Sequence, residues 1–183
     1  MEYVLQVIIA WFYSHLLEWF IHKYVLHNPS LKKPFRNHFG RHHSISRKNH
    51  MVDARDGQDS PLDFEKKYLI FGSLLHLPVA FFFIYSYITL LACACSYYII
   101  HQRAHRDIVW ARKWLPWHYE HHIGIDQNSN WGVRLPIIDI LFGTRKHFIG
   151  TKKERLKYIL AVTAAHQEKN IESRPRSNSG KRP

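Results

Sequence analysis

Lysine and arginine are absent from positions 1–22 and again from 68–102, whereas nine fall within 32–67 and sixteen within 103–183. A soluble domain spreads its charge along every amphipathic element, because each such element shows one face to water. Two long cation-free apolar blocks separated by basic ones instead predict an all-α integral membrane helical bundle. The basic blocks are then expected on the cytosolic side. The formal net charge of +12 fits an anionic leaflet better than nucleic acid, whose binding domains mix basic residues through the fold.

The first apolar block, Tyr3 to Leu26, is long enough to cross a bilayer at 1.5 Å per residue, and Ser14, His15, Glu18, His22 and Lys23 interrupt it. No basic stretch precedes it and no small-residue cleavage site follows, so it reads as a retained segment and not a signal peptide. Glu18, an ionisable group inside such a span, is expected to face the bundle interior or a functional cavity. The second block, Tyr68 to Ile100, has 33 residues, long for one crossing and short for two. A tight helical hairpin with its turn near Tyr85 to Thr89 fits best, and one long tilted helix is the alternative. The hairpin gives about three membrane-crossing segments and brings every histidine group to one cytosolic face. Cys93 and Cys95 sit inside this block as small packing residues.

Residues 1–150 are expected to form the membrane-embedded domain. Within it, the stretch from Asn28 to Lys67, with Asp53, Asp56, Gly57, Asp59, Ser60 and Pro61, reads as a loop. Residues 151–166 suit a short amphipathic helix, and 167–183 a disordered basic tail.

Ten of the fifteen histidines fall into four groups: His22/His27, His38/His42/His43, His101/His105 and His118/His121/His122. Neutral imidazole is the commonest ligand for zinc, iron and copper, and residues three or four apart emerge from one helix face. The neighbours His42/His43 and His121/His122 diverge by about 100° on a helix, which suits two metals better than one. His22 and His27, five apart, need a helix end or a bend to converge, and Asn28-Pro29 supplies a stop. His15 and His76, single histidines in apolar runs, are expected to be packed and hydrogen-bonded.

These boxes, with Glu18-Trp19-Phe20-Ile21-His22 ahead of the first and Asn130-Trp131-Gly132-Val133 and Asp139-Ile140-Leu141-Phe142-Gly143-Thr144 after the last, resemble the fatty acid hydroxylase and sterol desaturase superfamily over roughly residues 10–150. The resemblance implies a cytosolic site in which all ten box histidines hold two iron ions, with O2 as co-substrate and a C–H bond of an acyl chain or similar long apolar lipid as the target. It implies zinc as a possible occupant of purified protein. Glu18, Asp107, Asp126, Asn130 and Asp139 are candidate partners for the outer ring nitrogens, Glu18 foremost, while a cap or turn role is equally open to Asp139. Some family members carry a fused cytochrome b5 domain; here the first box begins at residue 22, and neither a dinucleotide fingerprint nor a haem motif is present. A separate electron donor, a cytochrome b5-like protein or a ferredoxin with its reductase, is therefore expected at the basic face, beside anionic lipid headgroups. A carotenoid or sterol hydroxylase or desaturase shares this chemistry. A membrane zinc-binding or zinc-dependent hydrolytic protein is the alternative of another class, although the His-Glu-x-x-His spacing is missing. A catalytically dead scaffold would be expected to lose box histidines, and all ten are here.

Overall fold

The computed structural model describes residues 1–53 and 64–172, with side chains described up to Ala164. Among these residues every regular element is helical. In order they are α1 (Glu2–Ile21), a π-helical continuation (His22–Leu26), α2 (Lys32–Phe35), a second π-helix (Arg36–His43), α3 (Ser44–Lys48), α4 (Phe64–Leu75), α5 (Leu77–Phe82), α6 (Ile84–Ala104), α7 (Ile108–Trp114), α8 (Pro116–Ile123), α9 (Ile137–Leu141) and α10 (Lys152–Glu172).

Two helical stretches, Glu2–Leu26 and Ile84–Ala104, are long and apolar enough to cross a membrane. Only 28% and 11% of their most apolar windows are buried. Val4, Leu5, Ile8, Ile9 and Phe12 on α1 and Ile84, Ile88 and Ile99 on α6 stand exposed, as do Phe71, Leu74 and Leu75 on α4 and Phe81 and Phe82 on α5. So continuous an apolar surface is rare on soluble monomers.

The second apolar block folds as a hairpin. Tyr87 donates to the Ser73 carbonyl at 3.3 Å and Gln102 to Glu65 at 3.1 Å, so α4 and α6 run antiparallel. The reversal falls at Phe83, which leaves helical geometry at φ −139° and ψ 68°, ahead of the expected Tyr85–Thr89 turn. Those polar residues lie in the first turns of α6, because the helix itself satisfies them: Thr89 donates to the Tyr85 carbonyl and Ser86 reaches Gln6 on α1. Tyr3 packs on Tyr85 at the same end, so α1 and α6 run parallel. Their C-terminal ends, with the start of α4, meet at one pole of the bundle. All four histidine groups gather at that pole.

Beside it a core of Met51, Ala104, Ile108, Ala111, Leu115, Tyr119, Ile123, Phe148 and Ala161 ties α7, α8 and α10 to the end of α6. Helix α10 runs on to Glu172, beyond the expected end at residue 166. Residues 161–172 (AVTAAHQEKNIE) lack an apolar stripe but are rich in good helix formers, and a nucleated helix propagates on propensity alone. The stretch expected as a loop is helical over residues 32–48, in α2, the second π-helix and α3, while its Asp56–Pro61 part and residues 173–183 of the expected tail lie outside the described residues.

Candidate metal centre

The first two histidine groups sit on π-helices, and this solves the spacing problem of His22 and His27. A π-turn closes i→i+5, and the His27 amide bonds the His22 carbonyl at 3.2 Å, bringing residues five apart one above the other. The imidazoles then lie 5.1 Å apart between centroids. The same register in Arg36–His43 stacks His43 over His38 at 4.9 Å and turns His42 aside.

Side chains from four elements then sort into two sets. His22, His27, His38, His43 and His121 place one ligand atom each within 4.8 Å of one another; so do His42, His101, His105 and His122. His118 stands against the second set, its Nε2 3.2 Å from that of His105. The adjacent pairs divide between the sets as their divergence predicts, with ring planes at 85° for His42/His43 and 87° for His121/His122.

The outer nitrogens show which way each ring is turned. His22 Nδ1 donates to the Trp131 carbonyl at 2.6 Å, His121 Nδ1 to the Ser129 carbonyl at 2.7 Å and His105 Nδ1 to the Met51 carbonyl at 2.8 Å. A carbonyl only accepts, so in these rings the proton is on Nδ1 and a bare Nε2 lone pair points inward. There the Nε2 atoms crowd: 2.9 Å between His22 and His38, 3.0 Å between His121 and His43, and 3.2 Å between His27 and His43. Two nitrogens at right angles around a metal at about 2.1 Å stand about 3.0 Å apart. Buried inward lone pairs at that separation fit a cation at the centre of the first set, and the ligand atoms of the second, within 4.8 Å of one another, could hold another.

Protonation would wreck this arrangement, and the site resists it. Burial first, and the neighbouring imidazoles second, hold His38, His43, His118 and His122 well below the ordinary histidine value. The same holds for His105 and His121. His27, less buried, is lowered to about 4.

The expected partners of the outer nitrogens occupy other places. Glu18 is buried, but its carboxylate accepts the Val133 and Arg134 amides and pairs with the Arg134 guanidinium at 2.7 Å, not with an imidazole. Asp139 accepts the Trp131 and Gly132 amides at 2.8 and 2.7 Å and the Thr144 hydroxyl at 2.6 Å. Asn130 joins this loop to the Lys146 backbone in both directions, at 2.7 and 2.9 Å. Asp107 caps α7 through the Trp110 amide, and Asp126 is spent on Lys146 and the Asn128 amide. Arginine and backbone amides outbid the imidazoles for these carboxylates. Glu18 and Asp139 still act on the centre, one peptide bond removed: they fix the amides of residues 131–134, so the Trp131 carbonyl faces His22. Gly132 is required there, since a Cβ would strike the Leu135 carbonyl.

The acceptors that do meet the rings were not found from the sequence. Asp53 lies 3.3 Å from His42 Nδ1, Glu65 lies 2.6 Å from His101 Nδ1, and Gln127 faces His43 Nδ1 at 3.2 Å. Asp53 and Glu65 belong to the segment joining the second histidine group to the second apolar block, both of whose ends must return to the site; that connectivity was the available signal. Met51, with His50, and Asn130 are the non-glycine residues with positive φ among those described. They sit in the two segments that offer carbonyls to His105, His121 and His22. Such backbone strain concentrates where geometry is over-determined by function.

Below the histidines a cavity of about 400 Å³ opens between α1, α4 and α6. His22, His38, His42 and His101 line its polar end, and Leu17, Ile21, Leu69, Leu90 and Leu91 line its apolar length. Along α6 it extends from His101 to Tyr87, about 21 Å at helical rise. His76, at the far end, hydrogen-bonds the Tyr13 hydroxyl at 3.0 Å and the Gly72 carbonyl at 2.8 Å. His15 is packed as expected, against Trp11, but its ring nitrogens have no hydrogen-bond partner.

Comparison with known proteins returns no matching family model, no similar curated protein and no similar solved structure.

Proposed function

We propose that this protein is a membrane-embedded, O2-dependent two-iron oxygenase that hydroxylates or desaturates an acyl chain or similar long apolar lipid. The observation that carries this reading is the junction of two buried, all-nitrogen ligand sets with one end of a long apolar cavity among helices whose outer faces are apolar and exposed. An inert C–H bond needs an oxidant stronger than any side chain, and a redox metal pair supplies that chemistry when bound. Imidazole donors suit iron, and zinc binds the same atoms.

The chain's own residues perform the rest. His22, His27, His38, His43 and His121 hold one ion, and His42, His101, His105 and His122, with His118, the other. Asp53, Glu65 and the carbonyls of Met51, Ser129 and Trp131 fix ring tautomers and raise ligand basicity. Leu17, Ile21, Leu69, Leu90 and Leu91 would exclude water from the chain of the substrate and hold it along the cavity that ends at His22, His38, His42 and His101. Glu18, Glu120 and Asp139 are each committed to amides or arginine.

The α4–α5 rod supplies a third crossing, and the basic loops put the histidine pole in the cytosol. Electrons come from a separate cytochrome b5-like or ferredoxin donor. The test is lipid analysis of cells expressing the protein under ¹⁸O2. Wild type is expected to yield an oxygenated or newly unsaturated lipid that the His43→Ala variant does not make, with label in any new hydroxyl. Identical lipid profiles, or hydroxyl oxygen drawn from water, would overturn the assignment.

A further inference from the structure

A second cavity, of about 240 Å³, shares no lining residue with the apolar one and reaches the histidines at His122. Arg47, His50, Tyr119 and Lys157 form its polar walls. Arg47 donates to the His122 and Gly124 carbonyls at 2.8 and 3.0 Å, and Lys157 to the Ile123 carbonyl at 2.8 Å. Among the described residues no carboxylate forms an ion pair with either cation. The nearby Glu154 is taken by Arg112, Tyr119 and the Gly150 amide. Two cations thus share a partly desolvated space, held by the carbonyls that end α8, and their like charges favour an anion between them.

The inner wall points to the same ligand. In the second histidine set, His42 and His105 bond an acceptor from within the chain at the outer nitrogen, the Asp53 carboxylate and the Met51 carbonyl, and the Glu65 carboxylate stands 2.6 Å from His101 Nδ1. His122 is fully buried, gives one nitrogen to the set and has no partner for either. His122 lines this cavity together with Arg47 and Lys157.

We propose that this cavity is a carboxylate-binding site, in which the anion accepts from the outer ring nitrogen of His122 and neutralises Arg47 and Lys157. A site below the roughly 300 Å³ of drug-sized pockets suits a small free acid or a single Asp or Glu side chain of a docking protein. The inference stands on the cavity's own residues and goes beyond the oxygenase reading.

The test is a thermal-shift titration of the full chain in detergent with sodium acetate, against sodium chloride at equal ionic strength. Ligand bound to the folded state raises the midpoint with concentration. Acetate is expected to raise it beyond chloride. Arg47→Gln and Lys157→Met should each weaken the apparent affinity at least fivefold, whereas Lys152→Met, at the exposed start of α10, should leave it unchanged. Lys157→Arg keeps the charge and should keep binding, which separates loss of the site from loss of the fold. A hexaglutamate peptide binding tighter than acetate per carboxylate identifies a protein side chain as the natural source; equal affinity identifies a free acid. No shift beyond chloride, or a shift that survives in both Arg47→Gln and Lys157→Met, overturns the site. Because the readout is neither turnover nor metal content, a failed oxygenase reading would not be mistaken for a failed anion site.

Discussion

Asp139 and Glu18 reach the histidines through the backbone, and their replacement separates this role from direct pairing. Asp139→Asn replaces one of the two oxygens that accept the buried Trp131 and Gly132 amides with a donor, and so loosens the Trp131 carbonyl from its place over His22. Outer partners of metal-bound imidazole are worth about 10- to 100-fold in metal affinity. A metal-competition titration is therefore expected to show a loss of that order confined to the first histidine set. Asp53→Asn should produce a comparable loss confined to the second set; equal loss from both sets in either variant would count against the division. The ligands themselves were legible in the sequence because imidazole chemistry and i, i+4 spacing are local. Their outer partners were not, because three of them are carbonyls, which any residue carries, and because Glu18 and Asp139 look no different in sequence from carboxylates that touch a ring. Only the fold shows that Arg134 and the 131–133 amides claim them first.

Among the elements, the π-helices carry the most specific consequence. Deleting Val25 shortens the His22/His27 spacing to i, i+4 and lets Ile21–Leu26 revert to α-helical pitch, which saves the strain of a π-turn. His27 and everything after it then shift by a residue. The variant is expected to keep its helical circular dichroism and lose the metal of the first set; retention of both metals would show that the π-turn is dispensable. The length of the apolar runs foresaw α1 and the hairpin that ends in α6, since unbroken apolar runs of that length have few alternatives. It misplaced the hairpin turn because polar side chains were read as a break, when Thr89 and Ser86 hydrogen-bond along and between helices. The apolar Phe83 makes the turn instead. Neither π-helix could be foreseen, because a single extra residue per turn leaves no mark in so short a segment except the His-x4-His spacing itself.

At the scale of the molecule, the buried imidazoles make stability depend on pH. With folded-state values depressed, the unfolded chain takes up more protons once pH falls below the ordinary histidine value of about 6.5, so stability drops as pH falls from there toward the folded values. Each such histidine contributes about 1.4 kcal/mol per pH unit within that window. His38, His43, His105, His118, His121 and His122 share the direction, and His27, at about 4, bounds its own window from below. Thermal midpoint and bound metal, measured on the same samples between pH 7.5 and 5, are expected to fall together and steeply; a flat profile would mean the histidines are not held neutral. The gathering of the histidines at one pole was foreseeable from charge segregation, because a hairpin between two basic blocks returns the chain to the side it left. The split into two sets rested on helical divergence at His42/His43 and His121/His122, and the folded rings follow it.

Metal content by elemental analysis of the purified full chain tests the central claim most directly. Two ions per chain are expected, falling to one in His121→Ala, to one in His42→Ala, and to none in the double variant. A ratio near one in the wild type, or a ratio that neither substitution changes, would contradict two centres built from these imidazoles.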